Sequence, residues 1–240
     1  MDKICIIGSG NVATHLCIAL AGKVDELINI SSRELEDVPE DSDIYIIAVS
    51  DRAIAEVAAG MPEVNGIVAH TAGSVGMDIL RPYFKRVGVF YPLQTFTKGA
   101  YLDYSAIPVF VEASDKGSEG QLLGLASLFT SHLHKADTTL REKLHLASVV
   151  ANNFANYLWS AAADMLKPEG LGLDVLMPLI EASVAKLKYM EPHEAQTGPA
   201  ARGDIAVIER HEQKLEGTPL HDVYHILSQA ILHNAQNKIH

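Results

Sequence analysis

The sequence predicts an α/β chain, a mostly parallel sheet flanked by helices and followed by an all-helical C-terminal half, and three observations lead there. The stretch Lys3 to Leu20, KICIIGSGNVATHLCIAL, reads as a strand, a glycine turn and a helix in immediate succession. Short apolar runs recur near 43–49, 67–69, 87–90 and 107–112, as expected of strands buried on both faces of a parallel sheet. Near Ala136 the pattern changes, and long helical periodicities replace strand-like runs. The expected division is therefore 1–136 for a dinucleotide-binding unit and 137–240 for a helical unit that holds substrate and forms a dimer.

In the first stretch, Ile4, Ile6 and Ile7 surround Cys5, and Gly8, Gly10 and Ala13 then match G-x-G-x-x-A. The first glycine allows a tight turn, the second lets a pyrophosphate approach the backbone, and the small third residue lets helix and strand pack closely. A helix starting near Asn11, with Val12, Leu16, Ala19 and Leu20 on one face, would aim unpaired N–H groups at the phosphates. These features make the sheet Rossmann-type. A lone glycine motif also serves ordinary turns; its place between a strand and a helix is what gives it weight.

Composition narrows the rest. With 48% hydrophobic and 20% charged residues over 240 positions, the chain is ordinary for a globular protein with one large or two modest cores. A formal charge of −11 argues against nucleic acid or an anionic membrane surface as the main partner. No long uninterrupted apolar run suggests a membrane span, and the chain enters a strand directly, so neither membrane nor signal peptide is expected. Cys5 and Cys17 read as small buried apolar residues rather than a disulfide, consistent with a cytoplasmic location.

Glu26 to Ser32 reads as the second strand, whose end meets the adenosine ribose in dinucleotide folds. Folds that prefer NAD place a carboxylate there; this chain has Ser31, Ser32 and Arg33, which suit the 2′-phosphate of NADP(H). Glu34 and Glu36 follow closely, and a solvated polar turn is the plainer alternative. Only some ten residues separate Arg33 from the next strand, so either the crossover has shrunk to a loop or the sheet lacks an outer strand. Val49, Ser50 and Asp51 then fall at the carboxyl edge, where open α/β sheets bind ligands, although Asp51 would equally cap the helix that begins there. His70 and Thr71 end the next buried strand at that edge, His70 as a site residue or as a satisfied structural histidine. Gln94 follows the strand at 87–90.

In the helical half, a helix expected from about Leu140 to Leu166 carries His145, Ser148, Asn152 and Asn156 at spacings of three, four and four, hence on one stripe. Buried amides and a histidine need partners, so the stripe faces either a ligand cleft or another polar helix. Asp174 is expected to start the following helix and Pro192 to end it. The loop from Gln196 to Asp204, QTGPAARGD, offers Arg202 as a clamp for a substrate carboxylate, with Asp204 orienting it or capping the next helix; a rigid turn is the alternative. An exposed charged stretch, Glu209 to Glu216, and a terminal helix, Leu220 to Leu232, complete the chain. His221, His225 and His233 have no convincing metal spacing, so no metal site is expected.

Taken in order, GSGNVA, HTAGS, YPLQTF, LHLASVVANNF and TGPAARGD resemble the Rossmann-like proteins that carry the DUF2520 domain, over nearly the whole chain. That family is described as NADP-dependent oxidoreductases related to pyrroline-5-carboxylate reductases and β-hydroxyacid dehydrogenases, with a helical domain like that of 6-phosphogluconate dehydrogenase. The resemblance implies Gly8, Ser9, Gly10, Asn11 and Val12 at the pyrophosphate, and His70, Gln94, His145, Asn152 and Arg202 around the substrate. One departure bears on mechanism. β-Hydroxyacid dehydrogenases carry a catalytic lysine three residues before an Asn-Asn pair, and here that position is Val149. Lys143 stands about half a turn away from Asn152 on an ideal helix and does not replace it. The expected function is an NADP(H)-dependent reductase of a small carbonyl or imine compound, with His145 or His70 as acid or base and Asn152 orienting the substrate. A catalytically silent NADP(H)-binding sensor is the rival, and an S-adenosylmethionine methyltransferase the weakest reading, since its acidic residue is missing at Ser31 and Ser32.

Overall fold

The computed structural model describes residues 3–237. The chain divides into two compact units, Met1–Val150 and Ala151–His240.

In the first unit, alternate residues of the central strands point to opposite faces of one sheet, and both faces are covered. The strands are β1 (Lys3–Ile7), β2 (Glu26–Ile30), β3 (Ile44–Ile47), β4 (Ile67–His70), β5 (Val87–Pro92), β6 (Val109–Ala113) and β7 (Leu133–Lys135). On one face Ile4, Ile6, Ile44, Ile46 and Phe90 pack with α1 (Asn11–Leu20) and α3 (Lys116–Ser127). On the other, Cys5, Ile7, Tyr45, Ile47 and Val68 pack with α2 (Ile54–Gly60). Burial on both sides explains why these strands carry continuous apolar runs instead of alternation.

The sheet order is β2-β1-β3-β4-β5-β6-β7. β1 to β5 run parallel, β6 is antiparallel to β5, and β7 is parallel to β6. The chain leaves β1 toward β2 and then returns to the opposite side of β1 for β3. The strand order thus reverses between β1 and β3, the crevice where such sheets take ligands. Of the two alternatives for the short connection after Arg33, the sheet lacks the strand outside β2, and the crossover keeps only a 3-10 turn, Leu35–Asp37.

Several bounds differ from expectation. β2 stops at Ile30, so Ser31 and Ser32 lie beyond it, whereas β5 extends to Pro92 and takes Tyr91 into the strand. β7, with only Leu133, His134 and Lys135, offered too short a run to be read.

The long helix begins earlier than expected, at Thr138, because the Asp137 carboxylate accepts from the Leu140 N–H, 2.8 Å, as an N-cap. It is not regular. Between α4 (Thr138–Ser148) and α5 (Ala155–Leu166) lies a π-helical segment, Val149–Phe154. In the second unit, a 3-10 turn, Leu173–Leu176, precedes α6 (Met177–Lys186); this helix ends before Pro192, which instead opens the short α7 (Pro192–Ala195). The QTGPAARGD stretch contains one helical turn, α8 (Pro199–Arg202). The charged stretch expected after it is helical, α9 (Ile205–Leu215), and the terminal helix α10 (Leu220–Asn237) runs longer than expected. Among the described residues, no helix is long and apolar enough to cross a membrane.

Candidate functional site

The glycine turn stands at the crevice. Gly8 has φ +133°, and a Cβ there would lie 2.3 Å from the Ala48 carbonyl oxygen, so glycine is required on both counts. Its N–H donates to the Ile30 carbonyl, 2.8 Å, which ties the turn to the end of β2. Gly10 differs: nothing lies within 4 Å of a Cβ built on it. It occupies the N-cap of α1, with no side-chain cap and no acidic residue in the first turn. An uncapped helix start beside open space, free of carboxylates, fits a pyrophosphate.

Two residues not foreseen as functional shape this turn. Asn29 of β2 donates from its amide to the Ile6 and Gly8 carbonyls, at 3.0 and 2.9 Å. A polar residue inside the ELINI strand was the available signal. His15 on α1 is buried, and its ring bonds the Tyr104 hydroxyl at 2.8 Å and the Thr97 carbonyl at 2.9 Å. Asn11 donates its side-chain amide to the Phe96 carbonyl, 2.9 Å, so that side chain holds the segment after β5. Ser9 and Val12 flank Gly10 and Asn11 in the turn and first helical residues.

At the other end of the crevice, Ser31 and Ser32 are partly exposed and Arg33 is exposed. The Arg33 N–H donates to the Ser31 hydroxyl, 3.3 Å, and no carboxylate pairs with the Arg33 guanidinium among the described residues. Neither Glu34 nor Glu36 forms an ion pair with it among the described residues.

The ends of β3 and β4 meet next. Val49 is partly exposed, and Ser50 and Asp51 are exposed. The Asp51 carboxylate accepts from the Ser74 hydroxyl, and no side-chain cap is formed at this helix start. Thr71 is partly exposed, with its N–H on the Ile47 carbonyl, 3.2 Å. His70 is fully buried. The Ala72 N–H donates to its Nδ1, 3.2 Å, which leaves the hydrogen on Nε2 to reach the Gly76 carbonyl, 3.3 Å. Burial pushes its pKa down to about 4. With both nitrogens on backbone partners, His70 is a structural histidine that shapes the 70–76 turn.

The second cluster unites β5, α4 and that turn. Tyr91 Oη lies 3.4 Å from Nδ1 of His145, and Ser148 donates its hydroxyl to the His145 carbonyl, 2.7 Å. Burial raises the Tyr91 pKa above its ordinary value. Beneath the pair, Arg141 is wholly buried. Its Nη1 donates to the carbonyls of Ala72, Gly73 and Val75, at 3.1, 3.1 and 2.8 Å, and its Nη2 pairs with Glu112, 2.5 Å. Thr138 joins the Glu112 carboxylate at 3.0 Å. Sequence reasoning passed over Arg141 and Tyr91. Arg141 stands one helical step of four residues before His145, which was a sign that it shares that face.

Gln94 is exposed, and its side-chain oxygen accepts from the Thr95 N–H, 2.8 Å. In the second unit, Asn152 and Asn156 are exposed, Asn152 within the π segment. Arg202 is the exposed last residue of α8; Asp204 neither pairs with it nor makes a side-chain cap on α9 among the described residues.

The fold and the open glycine turn define a class: an α/β protein with a dinucleotide-type crevice and a helical second unit. The profile described as "Domain of unknown function (DUF2520)" matches residues 107–231, and the chain belongs to that family. A Bacteroides fragilis protein, provisionally described as an NADP oxidoreductase, superposes with a TM-score of 0.89 at 35% identity, covering 97% of this chain and 98% of that one. A reductive aminase from Aspergillus terreus, in complex with NADPH and ethyl levulinate, gives 0.71 at 14% identity, covering 99% of this chain and 94% of the other. An imine reductase from Streptomyces aurantiacus gives 0.65 at 12%, with both chains covered in full at 100%. At such identities the last two likenesses speak for the fold. No curated protein matches the chain.

Proposed function

We propose that this protein is an NADP(H)-dependent oxidoreductase that reduces a small carbonyl or imine compound. The observation that carries the reading is the uncapped, carboxylate-free start of α1 beside the open Gly10 position, followed across the crevice by Ser31, Ser32 and an unpaired Arg33. The Bacteroides fragilis relative, whose description names the same cofactor, supports it.

In this reading Gly8, Ser9, Gly10, Asn11 and Val12 take the pyrophosphate, and Ser31, Ser32 and Arg33 take the 2′-phosphate. Val49, Ser50, Asp51 and Thr71 border the carboxyl edge where the rest of the cofactor lies. When bound, the cofactor supplies the hydride. His145 supplies a proton to the substrate heteroatom, because its Nε2 has no partner among the described residues. Asn152, Gln94, Ser148, Asn156 and Arg202 are assigned to substrate binding, Arg202 suiting a carboxylate. A second reading, a silent NADP(H) binder, is favoured by Val149 standing where related dehydrogenases keep a lysine.

Calorimetry tests the cofactor. NADPH is expected to bind more tightly than NADH, and Arg33→Ala to narrow the gap by about 1–3 kcal/mol through the loss of charged hydrogen bonds. Equal wild-type affinities would remove the NADP preference. Turnover of small keto acids or cyclic imines with NADPH separates the reductase from the silent binder.

A further inference from the structure

Tyr91 and His145 are brought together from β5 and α4, 54 residues apart in sequence. Their rings meet edge to face at 6.4 Å. The space they share exists because position 73 is glycine: a Cβ there would lie 2.6 Å from the Tyr91 ring and 3.0 Å from Nδ1 of His145. Arg141 holds the Gly73 carbonyl, and Glu112 holds Arg141, so this space is fixed by a buried charged network.

The phenol hydrogen has two acceptors within reach, Nδ1 of His145 and the Ser148 oxygen. The phenol is a donor, since burial keeps it protonated well into the alkaline range. Ser148 gives its own hydrogen to the His145 carbonyl, 2.7 Å, and its oxygen beside the phenol is the competing acceptor. A phenol that donates to Nδ1 requires Nδ1 to be unprotonated, which places the imidazole hydrogen on Nε2. Nε2 makes no hydrogen bond among the described residues and is not among their buried, unpartnered atoms.

We propose that Tyr91 and His145 form a proton relay: as Nε2 of His145 gives its proton to the substrate heteroatom, the Tyr91 hydroxyl passes its own to Nδ1. The proposal rests on the reductase reading above. Two bonds break, Oη–H and Nε2–H, and two form, Nδ1–H and the O–H or N–H of the product. The hydride comes from NADPH, and the phenolate left behind recovers its proton from water after the step. The transfer runs toward the stronger base, because an alkoxide or amide anion outranks a phenolate. Burial and the negative charge of Asp51 oppose that transient phenolate, and the neighbouring Ser148 and the positive charge of Arg141 favour it. His145 is the catalytic residue; Tyr91 acts through it and positions its hydrogen.

The test uses Tyr91→Phe in the full chain and reads three quantities. Nitrogen NMR of the histidine ring, assigned with His145→Gln, is expected to show the Nε2–H form in the wild type and a mixture of tautomers in Tyr91→Phe. NADPH affinity is expected to stay within twofold. With a reducible substrate, kcat is expected to fall at least tenfold while KM stays within threefold, and the alkaline limb of the pH profile is expected to move. Gly73→Ala, which crowds the pair without removing either group, is expected to disturb the same NMR signal. A wild-type hydrogen on Nδ1, or a His145 signal indifferent to Tyr91→Phe, overturns the relay even in a chain that binds NADPH and turns over. A wild-type chain that binds no NADPH overturns the reductase reading instead, and the relay with it, whatever the tautomer.

Discussion

At the scale of the residue, His70 shows how a site-like position is assigned by its partners. In sequence it was a histidine ending a buried strand at the ligand edge, open to either role. The hydrogen bonds decide, because a neutral ring with Nδ1 accepting and Nε2 donating has no free nitrogen for a substrate. Stability should therefore depend on its ionisation. Its folded pKa, about 4, lies below the ordinary value of 6.5, so between those values the unfolded chain binds more protons. The contribution is complete above pH 6.5 and is lost as pH falls toward 4. A gap of that size corresponds to about 3 kcal/mol. Urea unfolding is expected to show a wild-type stability that falls over this window, with a shallower fall in His70→Asn. Parallel curves would mean that His70 is not held neutral. Arg141 illustrates the opposite failure of legibility. An arginine on a polar helix turn reads as solvated, and only the three carbonyls of the 72–75 turn converging on it reveal a buried cation. No pattern within one segment encodes a contact made 66 residues away.

At the scale of the element, apolar period and turn chemistry made β1, β3, β4 and α1 readable, since each signal is local. The helix spanning His145 and Asn156 was read as regular, and it is not. The π segment at Val149–Phe154 winds more residues into each turn, so a stripe drawn at 3.6 residues per turn loses its register across it. Nothing in the sequence marked this, because residues 138–166 contain neither proline nor glycine. The same segment contains the boundary between the two compact units, at Val150 and Ala151. Asn152 is in this irregular stretch, exposed and without a hydrogen-bond partner among the described residues. Cutting its amide strands no buried group, and water replaces what is lost. Asn152→Ala is therefore expected to leave the melting temperature nearly unchanged and to keep NADPH affinity, while reductase activity falls at least tenfold. A large drop in melting temperature would return Asn152 to a structural role, and full turnover would remove it from the mechanism.

At the scale of the whole molecule, the two units bury their residues very differently. The first contains three buried clusters built on one sheet. In the second, α5 and α6 bury no residue at all, and α9 buries only Ile208 and Leu215. Phe154, Leu179, Leu187 and Ile226 are 57, 66, 52 and 65% exposed. Scattered exposed apolar residues are normal, but several helices of one unit that bury so little of their apolar surface leave it in want of a partner. A second copy of the chain is the partner we predict, since helices of about a hundred residues with unburied apolar faces are completed most simply by a twofold interface. Such an interface belongs to the large apolar class, roughly 2,000 Å² or more in total. Light scattering at micromolar concentration is expected to return twice the chain mass. Leu179→Glu combined with Leu187→Glu places one charge on α6 and one at its C-cap, and is expected to yield monomers that bind NADPH, because the crevice between β1 and β3 lies wholly in the first unit. A wild-type chain that is strictly monomeric would show that these faces are covered in some other way. Dimers unaffected by both charges would place the interface away from α6.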